Sequence, residues 1–262
     1  MTPTRGFRVF RAVLLVLFAA YFFVPLLAMF DFSTQRRGSA EGRTWDNWAF
    51  MVTDDDLRAS IVSSLLLALF TVVLMVVLLV PTMVWVRLRV PRMSKVIEFL
   101  CLLPLTIPAL VIVVGISNVY SWVTYLLGDD PVVLTFAYVV LVLPYSYRAI
   151  DAALSAIDVR TLAEAARSLG AGWATVVVRI ILPNITGGVL GAAFIAVALV
   201  MGEYVFASLL HFDTLPVAMA ALYKSNGAAA MAAALASMLF VAVLLVGLTF
   251  LGRDRHKQGA SS

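Results

Sequence analysis

SIVSSLLLALFTVVLMVVLLVPTMVWV, residues 60–86, decides the fold. No charged residue interrupts it between Ser60 and Val86. A helix needs about 20 mainly apolar residues to cross the hydrocarbon layer of a bilayer, and this stretch has them. Working outward, five more stretches meet the same requirement, at about 10–30, 97–120, 131–149, 185–208 and 229–251. The expected fold is therefore all-α, a polytopic membrane protein with six transmembrane helices. The first stretch reads as a retained span. Its apolar run from Ala12 to Phe30 is longer than the roughly 7–15 residues of a signal-peptide core, and no Ala-x-Ala site follows. Pro25, Pro81, Pro104, Pro108 and Pro144 fall within or beside these spans. Prolines at that depth kink helices and free carbonyls, which neighbouring helices or a water-filled path must satisfy.

Composition agrees. Of 262 residues, 63% are hydrophobic and 13% charged, with a mean hydropathy of +1.01. A soluble chain is about half apolar and a quarter charged, so lipid must cover the excess here. The single cysteine, Cys101, excludes an intramolecular disulfide and a cysteine metal cluster. His211 and His256 lie far apart and form no metal-ligand pattern.

The distribution of Lys and Arg orients the spans. One set of loops and ends carries Arg5, Arg8, Arg11, Arg87, Arg89, Arg92, Lys95, Arg148, Arg160, Arg167, Arg179, Arg253, Arg255 and Lys257. The other side holds only Arg36, Arg37, Arg43, Arg58 and Lys224. Cytoplasmic loops carry the positive excess, which places both termini in the cytoplasm. This topological asymmetry accounts for the pI near 9.4 without nucleic acid as a partner.

The outer loop 31–59 holds Trp45, Trp48 and the run Asp54-Asp55-Asp56. Thr53 before three aspartates reads as a helix start, where a cap and negative charge satisfy free amides. The tryptophans suit an interfacial anchor or a contact surface for an extracytoplasmic partner.

The inner loop 150–184 reads Asp158-Val-Arg-Thr-Leu-Ala-Glu164-Ala165-Ala166-Arg-Ser-Leu169-Gly170, then nine residues, then Ile180-Ile181-Leu182-Pro183. Thr161 and Glu164 have capping-box spacing. Leu162, Ala165, Ala166 and Leu169 fall on one helical face. Gly170 supplies a helix end, and a second helix over about 172–181 is stopped by Pro183. The loop is thus expected to be a helix–turn–helix on the cytoplasmic face. Its alanines give a low side suited to a groove in another protein.

On these residues the chain resembles the membrane subunits of bacterial binding-protein-dependent ABC importers. Their signature is Glu-Ala-Ala, three residues, Gly, nine residues, Ile-x-Leu-Pro. Glu164, Ala165, Ala166, Gly170, Ile180, Leu182 and Pro183 match each specified position, between spans four and five as in that family. Thr44-Trp45-Asp46-Asn47-Trp48 is similar to the segment the family places before its second span. The resemblance implies one permease domain over 1–262, with a core at about 60–251. It implies that the loop couples to a cytoplasmic ATPase dimer, beside a second permease subunit, homologous or identical, and an extracytoplasmic substrate-binding protein. It also implies a bacterial inner-membrane location. None of Lys95, Lys224 and Lys257 follows a glycine, so no phosphate-cradling Gly-Lys-Ser/Thr loop exists. The chain is expected to be no enzyme and to bind no cofactor, the ATP and Mg being used by the partner ATPase.

Span five carries Gly187 and Gly191 as a Gly-x-x-x-Gly pair, with Gly188, Ala192 and Ala196 continuing a small face. Such a pair packs a helix within the chain or against another subunit. Glu203, in Gly202-Glu203-Tyr204, is an intramembrane carboxylate, a candidate for the path, an outer gate or a cation attractor, or else an interfacial residue. Tyr204, Asn118 and Tyr120 are further candidates for polar lining. The Gly-Glu-aromatic segment resembles the spermidine/putrescine-like branch and favours a polyamine. Ferric iron, thiamine, phosphonate or another small solute are the alternatives within the same transporter type. A secondary transporter or channel would require more charge within the spans than Glu98 and Glu203. A membrane-embedded enzyme would require His-Glu-x-x-His or Gly-x-Ser-x-Gly, and neither is present.

Overall fold

The computed structural model describes residues 5–36 and 42–258. In chain order the α-helices are α1 (Arg5–Ser33), α2 (Asp46–Thr53), α3 (Asp55–Arg89), α4 (Ser94–Leu102), α5 (Ala109–Leu127), α6 (Thr135–Ser155), α7 (Val159–Ser168), α8 (Trp173–Thr175), α9 (Leu182–Asn184), α10 (Thr186–Gly202), α11 (Val205–Leu209), α12 (Leu215–Ser225) and α13 (Gly227–Gln258). Among the described residues no strand forms, and a lone antiparallel bridge joins Gln35 and Arg43. The fold is the expected all-α membrane architecture. Five helical stretches are long and apolar enough to span, and a sixth span arises if the bent pair Trp173–Asn184 and Thr186–Gly202 counts as one.

The start of the third span and the cap of α3 differ from expectation. The third span begins at Ala109, not near 97. Pro104 sits in a 3₁₀ turn, Leu103–Thr106, and Pro108 precedes the first residue of α5. Ile107, immediately before Pro108, is forced into the extended region (ψ 124°). Residues 94–102 are left as the separate helix α4. In the loop 31–59, the cap of α3 is Asp54, whose Oδ1 accepts the Leu57 N–H at 2.9 Å. Thr53 instead ends α2 and donates its hydroxyl to the Ala49 carbonyl. A carboxylate is the stronger acceptor and favours the positive end of the helix dipole.

The chain divides into two compact units. The first comprises Met1–Arg58 and Ala218–Leu239. Within it, Thr44-Trp45-Asp46-Asn47-Trp48 turns the chain back onto the end of α1. Buried Asn47 donates to the Ser33 and Gln35 carbonyls, each at 2.9 Å, and Trp48 Nε1 donates to Ser33 Oγ at 3.1 Å. Phe30 meets Trp45 and Trp48 edge on, and the two indoles lie tilted against each other.

The second comprises Ala59–Val217 and Phe240–Ser262. Its pivotal contact is α6 against α10. Gly188 is the close approach: a Cβ there would lie 2.4 Å from Ala153 Cβ and 2.9 Å from the Ala149 carbonyl oxygen. Ala192 and Ala196 are fully buried along the same face. Between helices in lipid, where water drives nothing together, small residues gain van der Waals contact by letting backbones approach. Gly187 and Gly191 meet nothing within 4 Å. Within this chain the packing role expected of that pair therefore belongs to Gly188, one position away.

Candidate functional site

The first part of the loop 150–184 folds as a capped, self-closed helix, α7. Asp158 is the cap of α7, its carboxylate accepting the Arg160 and Thr161 amides at 3.2 and 3.1 Å and the Thr161 hydroxyl at 2.7 Å. The Thr161–Glu164 capping box is thus corrected: Thr161 lies inside the helix and donates to the true cap. These hydrogen bonds, the Thr161 hydroxyl first, hold the Asp158 carboxyl below its ordinary range. At the other end the Gly170 N–H bonds the Arg167 carbonyl and the Ala171 N–H bonds the Ala166 carbonyl, each at 3.0 Å. This is a Schellman closure. It needs the left-handed backbone that Gly170 supplies at φ +85°.

The faces of α7 differ from the expected stripe. Val159, Ala163 and Ala166 are buried, and Leu162 is half-buried. Ala165 and Leu169 point outward, Leu169 being 89% exposed. Glu164 makes an exposed pair with Arg160 at 3.2 Å, a type worth roughly 0.3–0.5 kcal/mol and readily displaced by a partner. The buried face belongs to the same hydrophobic cluster as Met75, Ile150 and Ala192. The loop helix is therefore built into the core of the second unit.

After Gly170 the chain does not form a simple helix stopped by Pro183. It runs through α8, a π-helical stretch Val176–Ile181 and α9, with Pro183 at the start of α9. The wider π turn makes room for the proline ring, which in an α-helix would clash one turn back. The bend of 81° follows, at Ile185. Buried Ile181 and half-buried Ile180 and Leu182 hold this stretch to the core.

Polar groups fasten the ends of the spans nearest the signature loop. Arg87 donates to the Asp151 carboxylate at 2.6 Å, its carbonyl at 3.0 Å and Ser155 Oγ at 2.7 Å. Arg148 pairs with Glu98 at 3.1 Å. The helix of span four runs to Ser155, past the expected 149, so both Arg148 and Asp151 lie on it.

The candidates at the opposite ends of the spans separate. Glu203 sits at the break between α10 and α11, half-buried. Its Oε1 accepts the Val205 and Phe206 amides at 2.8 and 3.1 Å; Oε2 accepts Phe206 N–H at 3.0 Å and the Tyr138 hydroxyl at 2.8 Å. Tyr120 is buried, donating to the Val133 carbonyl and accepting the Ala137 amide. It shares a hydrophobic cluster with Tyr138. Asn118 and Tyr204 are exposed. Tyr138 was not a sequence candidate; a tyrosine deep in an apolar span, which needs a hydroxyl partner, was the available signal. An apolar cleft of about 450 Å³ lined by Phe70, Val77, Leu127 and Phe136 offers no polar path.

A family profile described as binding-protein-dependent transport system inner membrane component matches residues 84–254. The chain belongs to this family. As a permease it shares its fold with a chain in the crystal structure of a bacterial ABC transporter involved in the import of the acidic polysaccharide alginate. The two are 16% identical with a TM-score of 0.65, over 96% of this permease and 99% of that chain. No curated protein matches the sequence. The permease is accordingly an inner-membrane component of a binding-protein-dependent transport system.

Proposed function

We propose that this permease, as one domain over 1–262, transmits ATP-driven movement from a separate cytoplasmic ATPase through α7 and the following stretch to its spans. Both termini face the cytoplasm in this reading. A second permease subunit completes the path, and an extracytoplasmic binding protein delivers the cargo. The observation that carries it is the outward face of α7: Glu164, Ala165 and 89%-exposed Leu169 stand on a helix whose opposite face is built into the core. A leucine so exposed on a short, rigidly capped helix suits a groove in a partner. Ala166, Gly170, Ile180, Leu182 and Pro183 of the signature set the frame of that face and do not touch the partner themselves.

A polyamine is the cargo the resemblance favours, with ferric iron, thiamine and phosphonate as rivals. Glu203, bonded on both oxygens, adds no weight to a dication. The test is mild-detergent purification of the tagged permease from its native membrane. We expect an ATPase and a second six-span subunit to come with it. Leu169→Arg should remove the ATPase while the membrane subunits stay together. Gly170→Val should do so too, because φ +85° is strained for a β-branched residue. Full ATPase recovery with both variants would sink the coupling reading. The binding protein and the solute it carries decide the cargo.

A further inference from the structure

Four side chains outside the family signature meet where α7 ends. Arg167, in the last turn of α7, donates from NH1 to the Ala171 carbonyl at 2.8 Å, and its Cζ stands 5.2 Å from the centroid of the Trp173 ring. The same ring takes a second guanidinium: Arg89 Cζ lies 4.8 Å from it. Arg89 also lies 5.7 Å from the ring of Trp85, and the two indoles meet edge to face at 6.4 Å. Arg89 and Trp85 belong to the inner end of α3. Arginine on indole faces is an attraction with a preferred geometry and little loss of side-chain freedom.

We propose that Trp173 is a positioning residue: gripped by Arg167 and Arg89, it locks the coupling helix α7 to the inner end of α3, so that the two move as one body. This deepens the reading given above and rests on it. The chain itself leads from α7 only into α8 and then toward α10. Beside the apolar core that α7 shares with α3 and α6, the stack adds a directed hold on the end of α3. Two residues before Arg89, Arg87 binds Asp151 and Ser155 of α6, so the inner end of α3 is pinned on one side to α6 and on the other to α7. A displacement at α7 therefore reaches α3 and α6 together.

The test needs no knowledge of the cargo. Buried Cys101, the only cysteine, is replaced by Ser. Spin labels go on exposed Ser168→Cys and Val90→Cys in the complete complex in lipid nanodiscs. The label-to-label distance is then read without nucleotide and after trapping with ATP and vanadate. The expected result is one narrow distribution, the same in both states. Trp173→Leu should broaden it severalfold while the ATPase stays bound, and Trp173→Phe should restore it. An unchanged distribution in Trp173→Leu overturns the joint, as does a wild-type distance that shifts on trapping. Absence of an ATPase from the wild-type complex would strike instead at the coupling reading, and the wild-type and Trp173→Leu distributions of the permease alone would still decide the joint.

Discussion

A carboxyl group among apolar spans is costly unless its oxygens are met locally. Glu203 is met by two amides of its own chain and by one hydroxyl from α6. Glu203→Gln keeps one carbonyl oxygen and loses the second acceptor, leaving part of that set unpaired. We expect a loss of about 1–3 kcal/mol, read as a lower thermal midpoint of the purified permease. Tyr138→Phe should cost less, and the double variant should cost less than the sum, because the two groups share one hydrogen bond. Strict additivity would show that the bond contributes nothing. From sequence, Glu203 was legible as unusual but not as a cap, since capping depends on the break at Gly202 and on Tyr138, which lies 65 residues away along the chain. Asp158 was overlooked for a related reason. Asp158 and Thr161 are both good cap residues three positions apart, and only the observed start at Val159 separates them.

Between elements, glycine placement shows the same ambiguity. Gly187-Gly188-x-x-Gly191-Ala192 contains two interleaved small faces one residue apart, about 100° around the helix. Periodicity cannot say which one meets α6. The structure selects Gly188, so Gly188→Ala should destabilise by about 1–3 kcal/mol through overpacking against Ala149 and Ala153. Gly187→Ala and Gly191→Ala should leave the stability of the isolated permease unchanged. Equal thermal midpoints for all three variants would contradict the packing. The helix α7 offers a pH test. Its cap carboxyl is held below the ordinary value of about 3.9. A depressed carboxyl contributes stability that is complete above its unfolded value and is lost as pH falls through its folded value. Hydrogen exchange over 159–168 should therefore be insensitive between about pH 7 and 5 and lose protection below about pH 4. Asp158→Asn, which caps without ionising, should lack that step; its persistence in the variant would place the sensitive group elsewhere. The cation–π contacts of Trp173 are each worth about 0.5–1 kcal/mol at exposed sites. That is enough to set how tightly α7 follows α3 and too little to decide whether the permease folds.

At the scale of the whole permease, the class of fold was readable because it follows from long uncharged runs, and lipid leaves the backbone few other solutions. The signature loop was readable because residue type, spacing and position coincide on one short segment. The third span was misplaced because hydropathy does not register two prolines that break an apolar run, whereas backbone sterics do. The division into two compact units was not legible, since it depends on which distant segments share contacts.

Span five has one further consequence. Its helix α10 has 17 residues and so rises about 25 Å, less than the roughly 30 Å of hydrocarbon it must cross. Even upright, it cannot keep both of its ends outside the oily layer. Groups beside both ends are met within the chain: the Ile185 N–H is bonded to the Ile181 and Leu182 carbonyls, the Glu203 N–H to the Val200 carbonyl, and the Glu203 carboxylate takes the Val205 and Phe206 amides at the start of α11. Held to α6 by the Gly188 contact and the Glu203–Tyr138 hydrogen bond, this helix takes its depth from its neighbour, so the mismatch falls on the lipid, which must thin around it.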